Sequence, residues 1–153
     1  MKLNYKLIIE ATQALNGFNP PSGIPWKAQF RLDRNLRKLN NAGGDFELFR
    51  NRAQWSVKKD QTKASNRPDG SAELTPEEHL AFSEKLAKLF IEEAEVEIFP
   101  VELIDTDDSQ LPTDEEHFVD VHALKNANYP LSRAVRSTLT EAGVFEQWKG
   151  KTK

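Results

Sequence analysis

Apolar residues recur along this chain with the period of a helix, broken at places where the residues themselves explain the break. Leu3, Leu7, Ile8, Ala11, Ala14 and Leu15 follow a 3.6-residue period, which predicts a helix near 3–15 with one buried face. Asn16-Gly17 ends it. The run Asn19-Pro20-Pro21-Ser22-Gly23 reads as a rigid loop, because two prolines and a glycine cannot continue a helix. Leu32, Leu39, Phe46 and Ala53 are then spaced by seven, with Leu36 and Phe49 between them, predicting helix near 26–59. Gly43-Gly44 interrupts this stripe without shifting its register. Two glycines cost about 2 kcal/mol in a helix interior, so a kink or break is expected there, with Asp45 capping a second segment.

The next junctions are equally explicit. Lys58 to Arg67 lacks apolar periodicity and reads as a mobile polar tip, followed by a tight turn at Asp69-Gly70. Thr75-Pro76-Glu77-Glu78 spells a capping box with proline where a missing N–H costs nothing. The helix it opens, near 76–93, carries Leu80, Phe82, Leu86, Leu89, Phe90 and Ile91 as two overlapping stripes, which predicts a central helix touched on more than one side. From Glu95 to Leu103 the pattern alternates like a strand and changes phase at Pro100. Val96 and Ile98 face one way; Phe99, Val101 and Leu103 face the other. Proline cannot donate to a ladder, so an edge strand or extended arm over 96–103 is expected. Its partner would be the short candidate at Ser71 to Leu74, another copy, or another protein. A second capping box at Pro112 to Glu116 predicts helix near 114–125 with Phe118, Val121 and Leu124. Ser132 starts a last helix near 132–142 with Val135 and Leu139, and Phe145 and Trp148 are candidates to continue it. The predicted class is mainly α with a small β element: a helical hairpin or bundle plus a short strand or two-stranded sheet.

At 153 residues the chain has the length of one domain, enough to bury about 70% of its unfolded surface. The expected organisation is a helical core with its strand over 1–104, then an acidic linker and C-terminal helices over 105–153. There is no cysteine, which excludes a disulfide framework and thiolate chemistry and suggests a reducing compartment. No apolar run reaches membrane-spanning length, and the start of the chain is too short and polar for a signal peptide. The net charge of −3 hides a strong segregation. Met1 to Ala72 holds 13 Lys/Arg against 6 Asp/Glu, and Glu73 to Leu131 holds 3 against 16. Such blocks mark a charged partner surface or neutralise each other within the fold. The acidic total argues against a dedicated nucleic-acid binder.

Candidate chemistry is sparse. Asp105, Asp107, Ser109, Thr113 and Glu116 fall at positions 1, 3, 5, 9 and 12 of a calcium loop. Gln110 stands where glycine makes the sharp turn, Pro112 removes an amide, and a strand precedes in place of a helix, so an acidic linker is the better reading. His79, His117 and His122 lack zincin spacing, and no nucleophile motif or phosphate-cradling glycine loop occurs. No metal, cofactor or enzymatic activity is expected. Lys27, Arg31, Arg34 and Lys38 lie at spacings of 4, 3 and 4 on one helix face. Such a stripe can track phosphates, but without interleaved aromatics it reads better as a solvated face or as partners for Glu92, Glu93 and Glu95. Trp26, Trp55 and Trp148 read as core or interface anchors.

Over residues 3–104 the chain resembles a group of small tailed-bacteriophage proteins without known activity. The resemblance rests on Asn35-Leu36-Arg37-Lys38-Leu39 in a long helix, then Phe46 and Arg52, an Asp-Gly turn after a polar tip, and Glu95-Val96-Glu97-Ile98 after a helix. It departs from that group at Gly43-Gly44 and in the 19–25 loop. The resemblance implies a viral origin and no known activity. The unpaired strand, the mobile basic tip and the segregated charge suit an assembling module, so the expected function is that of a non-enzymatic protein, in the host cytoplasm or the virion, that acts by protein–protein contact in virion assembly or as a minor structural component. The alternatives are a host-directed inhibitor and, more weakly, a nucleic-acid accessory protein. Partners would be a phage or host protein or a second copy, and the candidate contact residues are Val96, Ile98, Lys27, Arg31, Arg34 and Lys38.

Overall fold

The structure is a computed structural model that describes residues 1–20, 24–58, 73–104 and 118–147. It is mainly helical with a small β component. In chain order the elements are β1 (Lys2–Asn4), α1 (Tyr5–Gly17), α2 (Trp26–Val57), α3 (Pro76–Ile91), β2 (Glu93–Glu95), β3 (Val101–Ile104), β4 (Phe118–Asp120), α4 (Val121–Asn126), α5 (Arg133–Glu141) and β5 (Phe145–Gln147).

The first helix starts later than its apolar period suggests, because Leu3 belongs to a strand. Asn4 caps α1, its Oδ1 accepting from the Leu7 amide at 2.8 Å. α1 is the helix at the centre: Tyr5, Ile8, Ala11 and Leu15 are buried, and it packs against α2, α5 and α3. α3, expected to be central, is peripheral. Leu86, Leu89 and Phe90 are half-buried against the core, whereas Leu80 and Ile91 are 71% and 73% exposed. Its second apolar stripe faces outward. The capping box at Thr75 and Glu78 forms as expected, with bonds of 3.3 and 2.9 Å.

No break occurs at Gly43-Gly44; α2 runs unbroken for 32 residues. A Cβ on either glycine would meet nothing within 4 Å, so close packing does not require glycine there. The inward stripe of Ala28, Leu32, Leu39 and Phe46 is buried on both sides of the pair. That tertiary burial outweighs the propensity cost of about 2 kcal/mol.

The strand expected over 96–103 is two short strands separated by residues 96–100. β2 pairs antiparallel with β1, Leu3 opposite Ala94. β3 is the middle of a parallel sheet in the order β4-β3-β5, with Leu103 opposite both Val119 and Gln147. Neither strand needs another copy to complete it. The expected partner at Ser71 to Leu74 forms no strand at its described residues, Glu73 and Leu74. Phe118 lies in β4, and the following helix is capped by Asp120, whose Oδ1 accepts from the His122 and Ala123 amides. The Thr113 capping box, the calcium-loop candidate, His117, Trp148 and the polar tip after Lys58 lie outside the described residues.

Ser132 caps α5 as expected, but Phe145 belongs to β5 and does not extend the helix. Gly143 is the reason: its φ of +81° turns the chain, while Val144 N–H donates to Leu139 O at 2.9 Å and Gly143 N–H to Thr140 O at 3.0 Å. These two bonds complete a Schellman stop. Asn128, at φ 62°, ends α4 in the same way. One hydrophobic cluster gathers residues from Leu3 to Phe145, including Val101, Leu103, Val119 and Leu139.

Candidate interaction surface on the long helix

The first half of α2 sorts its side chains by the helical period. Ala28, Leu32, Asn35 and Leu39 point into the protein, and Trp26 and Phe30, one turn apart, point out at 64% and 55% exposure. Arg34, the next turn, holds its guanidinium carbon 5.7 Å from the Phe30 ring centroid and 4.0 Å from that of Phe99. Trp26, Phe30, Arg34 and Phe99 thus form one aromatic–cationic strip, with the Lys27 ammonium 5.7 Å from the Trp26 ring.

Asn35 fixes the far end of the strip. It is 0% exposed. Its Nδ2 donates to Phe99 O at 2.8 Å, and its Oδ1 accepts from Phe99 N–H at 2.7 Å. The side-chain amide therefore serves the Phe99 backbone as a neighbouring strand would, between the points where β2 ends and β3 begins. Arg31 Nη1 donates to Pro100 O at 2.8 Å, and Lys38 Nζ pairs with Glu97 at 3.4 Å.

These contacts correct the expected basic stripe. Lys27, Arg31, Arg34 and Lys38 do share a face, but the 97–100 segment lies over it and engages three of them. The acidic partner is Glu97 rather than Glu92, Glu93 or Glu95. Phosphate tracking along Arg31 and Lys38 would have to displace the protein's own chain, whereas beside Lys27 and Arg34 aromatic rings do lie, contrary to the expectation of a stripe without them. Val96, expected at a contact edge, is 3% exposed within the core. Its N–H donates to Met1 O at 2.9 Å and its carbonyl accepts from the Met1 amine at 3.1 Å. Ile98 is half-buried against the same core. The Met1 amine also bonds Glu95 at 2.7 Å and holds that carboxyl below its ordinary value.

Sequence reasoning missed Asn35, Phe99 and the Trp26–Phe30 pair as a unit. A signal existed for the last, since positions 26 and 30 are out of phase with the stripe at 32, 39 and 46.

Among the described residues no group of three or more His, Cys, Asp or Glu could hold a metal ion. A shallow depression near α5 is lined, among the described residues, by Arg133, Arg136, Ser137, Thr140 and Glu141, all from that one helix. No helix among the described residues is long and apolar enough to cross a membrane. Comparison with protein-family models, with curated proteins and with solved structures gives no match.

Proposed function

We propose that this chain is a non-enzymatic protein that works by protein–protein contact through the strip Trp26–Phe30–Arg34, as an assembly or minor structural component of a virion. The carrying observation is the pair of adjacent, largely exposed aromatic rings on a helix, next to an arginine already held in place by Phe99. Trp and Arg dominate protein interface hot spots because they combine large apolar area with directed polar contact. Holding Arg34 between two rings reduces the side-chain entropy lost on docking. The viral setting rests on the sequence pattern of residues 3–104.

The test is affinity capture from cells producing the protein, comparing wild type with Trp26→Ala/Phe30→Ala. Both positions are exposed, so the double variant should keep its helical circular dichroism. The expected result is specific retention of a partner by wild type and at least about tenfold weaker retention by the variant. Equal retention by both would refute the strip as the docking surface. A retained partner encoded by the host rather than by the virus would favour the host-directed inhibitor.

A further inference from the structure

Resting on the reading of the Trp26–Phe30–Arg34 strip as a protein-docking surface, we infer that its occupant is a second copy of this chain, which presents the outer stripe of α3. That stripe is another exposed apolar feature among the described residues. Leu80, Glu84, Ala87 and Ile91 lie at spacings of 4, 3 and 4 on one face of α3, and all four are exposed. The two apolar ends are the most exposed large hydrophobics of the described chain.

Charge selects the pairing. From Trp26 to Asn41 the chain carries Lys27, Arg31, Arg34, Arg37 and Lys38 against Asp33 alone. α3 and the two residues after it carry Glu77, Glu84, Glu92 and Glu93 at exposed positions against Lys85 and Lys88, whereas Glu97 lies on the basic side, paired with Lys38. An aromatic strip in a basic field and an aliphatic stripe in an acidic field are complementary. Either surface against itself would set like charges together.

Geometry prevents one molecule from satisfying both surfaces. The Phe90 ring stacks on Phe46 at 5.2 Å between centroids, and Lys85 Nζ bonds Ser56 Oγ at 2.6 Å. α3 therefore lies along the second half of α2. Phe46 is 18 residues beyond Ala28, about 27 Å along the helix axis at 1.5 Å per residue. The two surfaces must meet between molecules. Because they differ, the contact is head-to-tail, and each copy that docks leaves one surface of each kind open for the next.

The experiment is sedimentation velocity on the full chain from low-micromolar to near-millimolar concentration, at low and high salt. It uses wild type, Trp26→Ala/Phe30→Ala and Leu80→Lys/Ile91→Lys, with circular dichroism to confirm that each variant is folded. Wild type should show a mass that rises with concentration and falls with salt. Each variant alone should associate at least about tenfold more weakly. An equimolar mixture of the two variants should form a dimer and stop there, because each supplies the one surface the other lacks. A wild type that stays monomeric throughout overturns the inference, as does a Leu80→Lys/Ile91→Lys variant that assembles like wild type. A monomeric wild type whose capture of another protein still depends on Trp26 and Phe30 overturns only the self-association; capture that ignores those residues overturns the docking strip as well. A monomeric wild type that binds a single-stranded oligonucleotide, with binding lost in Trp26→Ala/Phe30→Ala, assigns the strip to nucleic acid and overturns both.

Discussion

Asn35→Ala is expected to be among the most destabilising single changes in α2, although the residue is polar. Truncation removes both bonds that the side-chain amide makes to Phe99, at 2.8 and 2.7 Å. It leaves a backbone N–H and a carbonyl without their partner, each worth about 1–3 kcal/mol when water cannot replace it. Phe99 is half-buried, so some hydration is recovered and the sum falls to about 2–5 kcal/mol. At this chain length 1 kcal/mol moves the melting midpoint by about 2–4 °C, so a loss of about 3 kcal/mol lowers it by about 6–12 °C.

Two measurements separate this cause from general core damage. Urea denaturation gives the free energy, with Asn41→Ala as the control: Asn41 is exposed on the same helix, and its replacement should change stability by less than about 0.5 kcal/mol. Amide hydrogen exchange then reads the local event. In wild type the Phe99 amide is protected by a side chain rather than by a strand, so in Asn35→Ala it should exchange much faster under native conditions, while the α1 amides keep their protection relative to the global stability. A loss below about 0.5 kcal/mol, with the Phe99 amide still protected, would refute the clamp.

Gly43→Ala and Gly44→Ala should each stabilise the protein by about 0.5–1 kcal/mol, since both sit in continuous helix with room for a Cβ. A lower urea midpoint for either would show that the helix is interrupted there. Leu39→Ala, at a fully buried position, should cost about 2–5 kcal/mol, whereas Leu86→Ala and Leu89→Ala, half-buried on α3, should cost about 1–2 kcal/mol. The reverse order would put α3 at the centre of the core. Burial, with the negative charges of Asp45 and Glu92, raises the Tyr5 phenol above its ordinary 10.0. The neutral ring is therefore favoured in the folded state. Its contribution is complete below about pH 10 and is lost as pH rises through the raised value. Tyr5→Phe should show a shallower alkaline decline in stability, and identical declines would contradict this.

The parts of the fold visible in the sequence are those encoded locally. The Thr75–Glu78 box, the Ser132 cap and the 32-39-46 stripe each state their structure within a few residues, and each forms. The missed parts depend on partners far along the chain. β1 is three residues long, too short for a period, and its partner β2 begins at Glu93. The β4-β3-β5 sheet is built from strands of three or four residues, with parallel partners that no local pattern announces. α3 misled for a different reason. Its two apolar stripes are real, but only one meets the core, and periodicity cannot distinguish a stripe that faces a core from one that faces outward. The same ambiguity hid the candidate site, because Trp26 and Phe30 read as apolar residues in a helix until the inward face was known.

The segment at residues 96–100 links these observations. Asn35, Arg31 and Lys38 all reach it from α2, and Val96 is joined to Met1 on its other side. Here a basic residue of the first half of the chain meets an acidic residue of the second half, in the Lys38–Glu97 pair. The meeting is local. Trp26 lies three helical turns from Lys38, and the outer stripe of α3 faces away from the core that α2 lines. Away from that pair, exposed Trp26 and Phe30 stand beside Lys27 and Arg34 on α2, and exposed Leu80 and Ile91 flank Glu84 on α3. A fold that needed its charge blocks only for internal neutralisation would have no reason to pair basic charge with exposed aromatics and acidic charge with exposed aliphatics. The proposed recognition of a complementary surface would supply that reason, and the Asn35 clamp keeps Phe99, and with it Arg34, in place on the basic side.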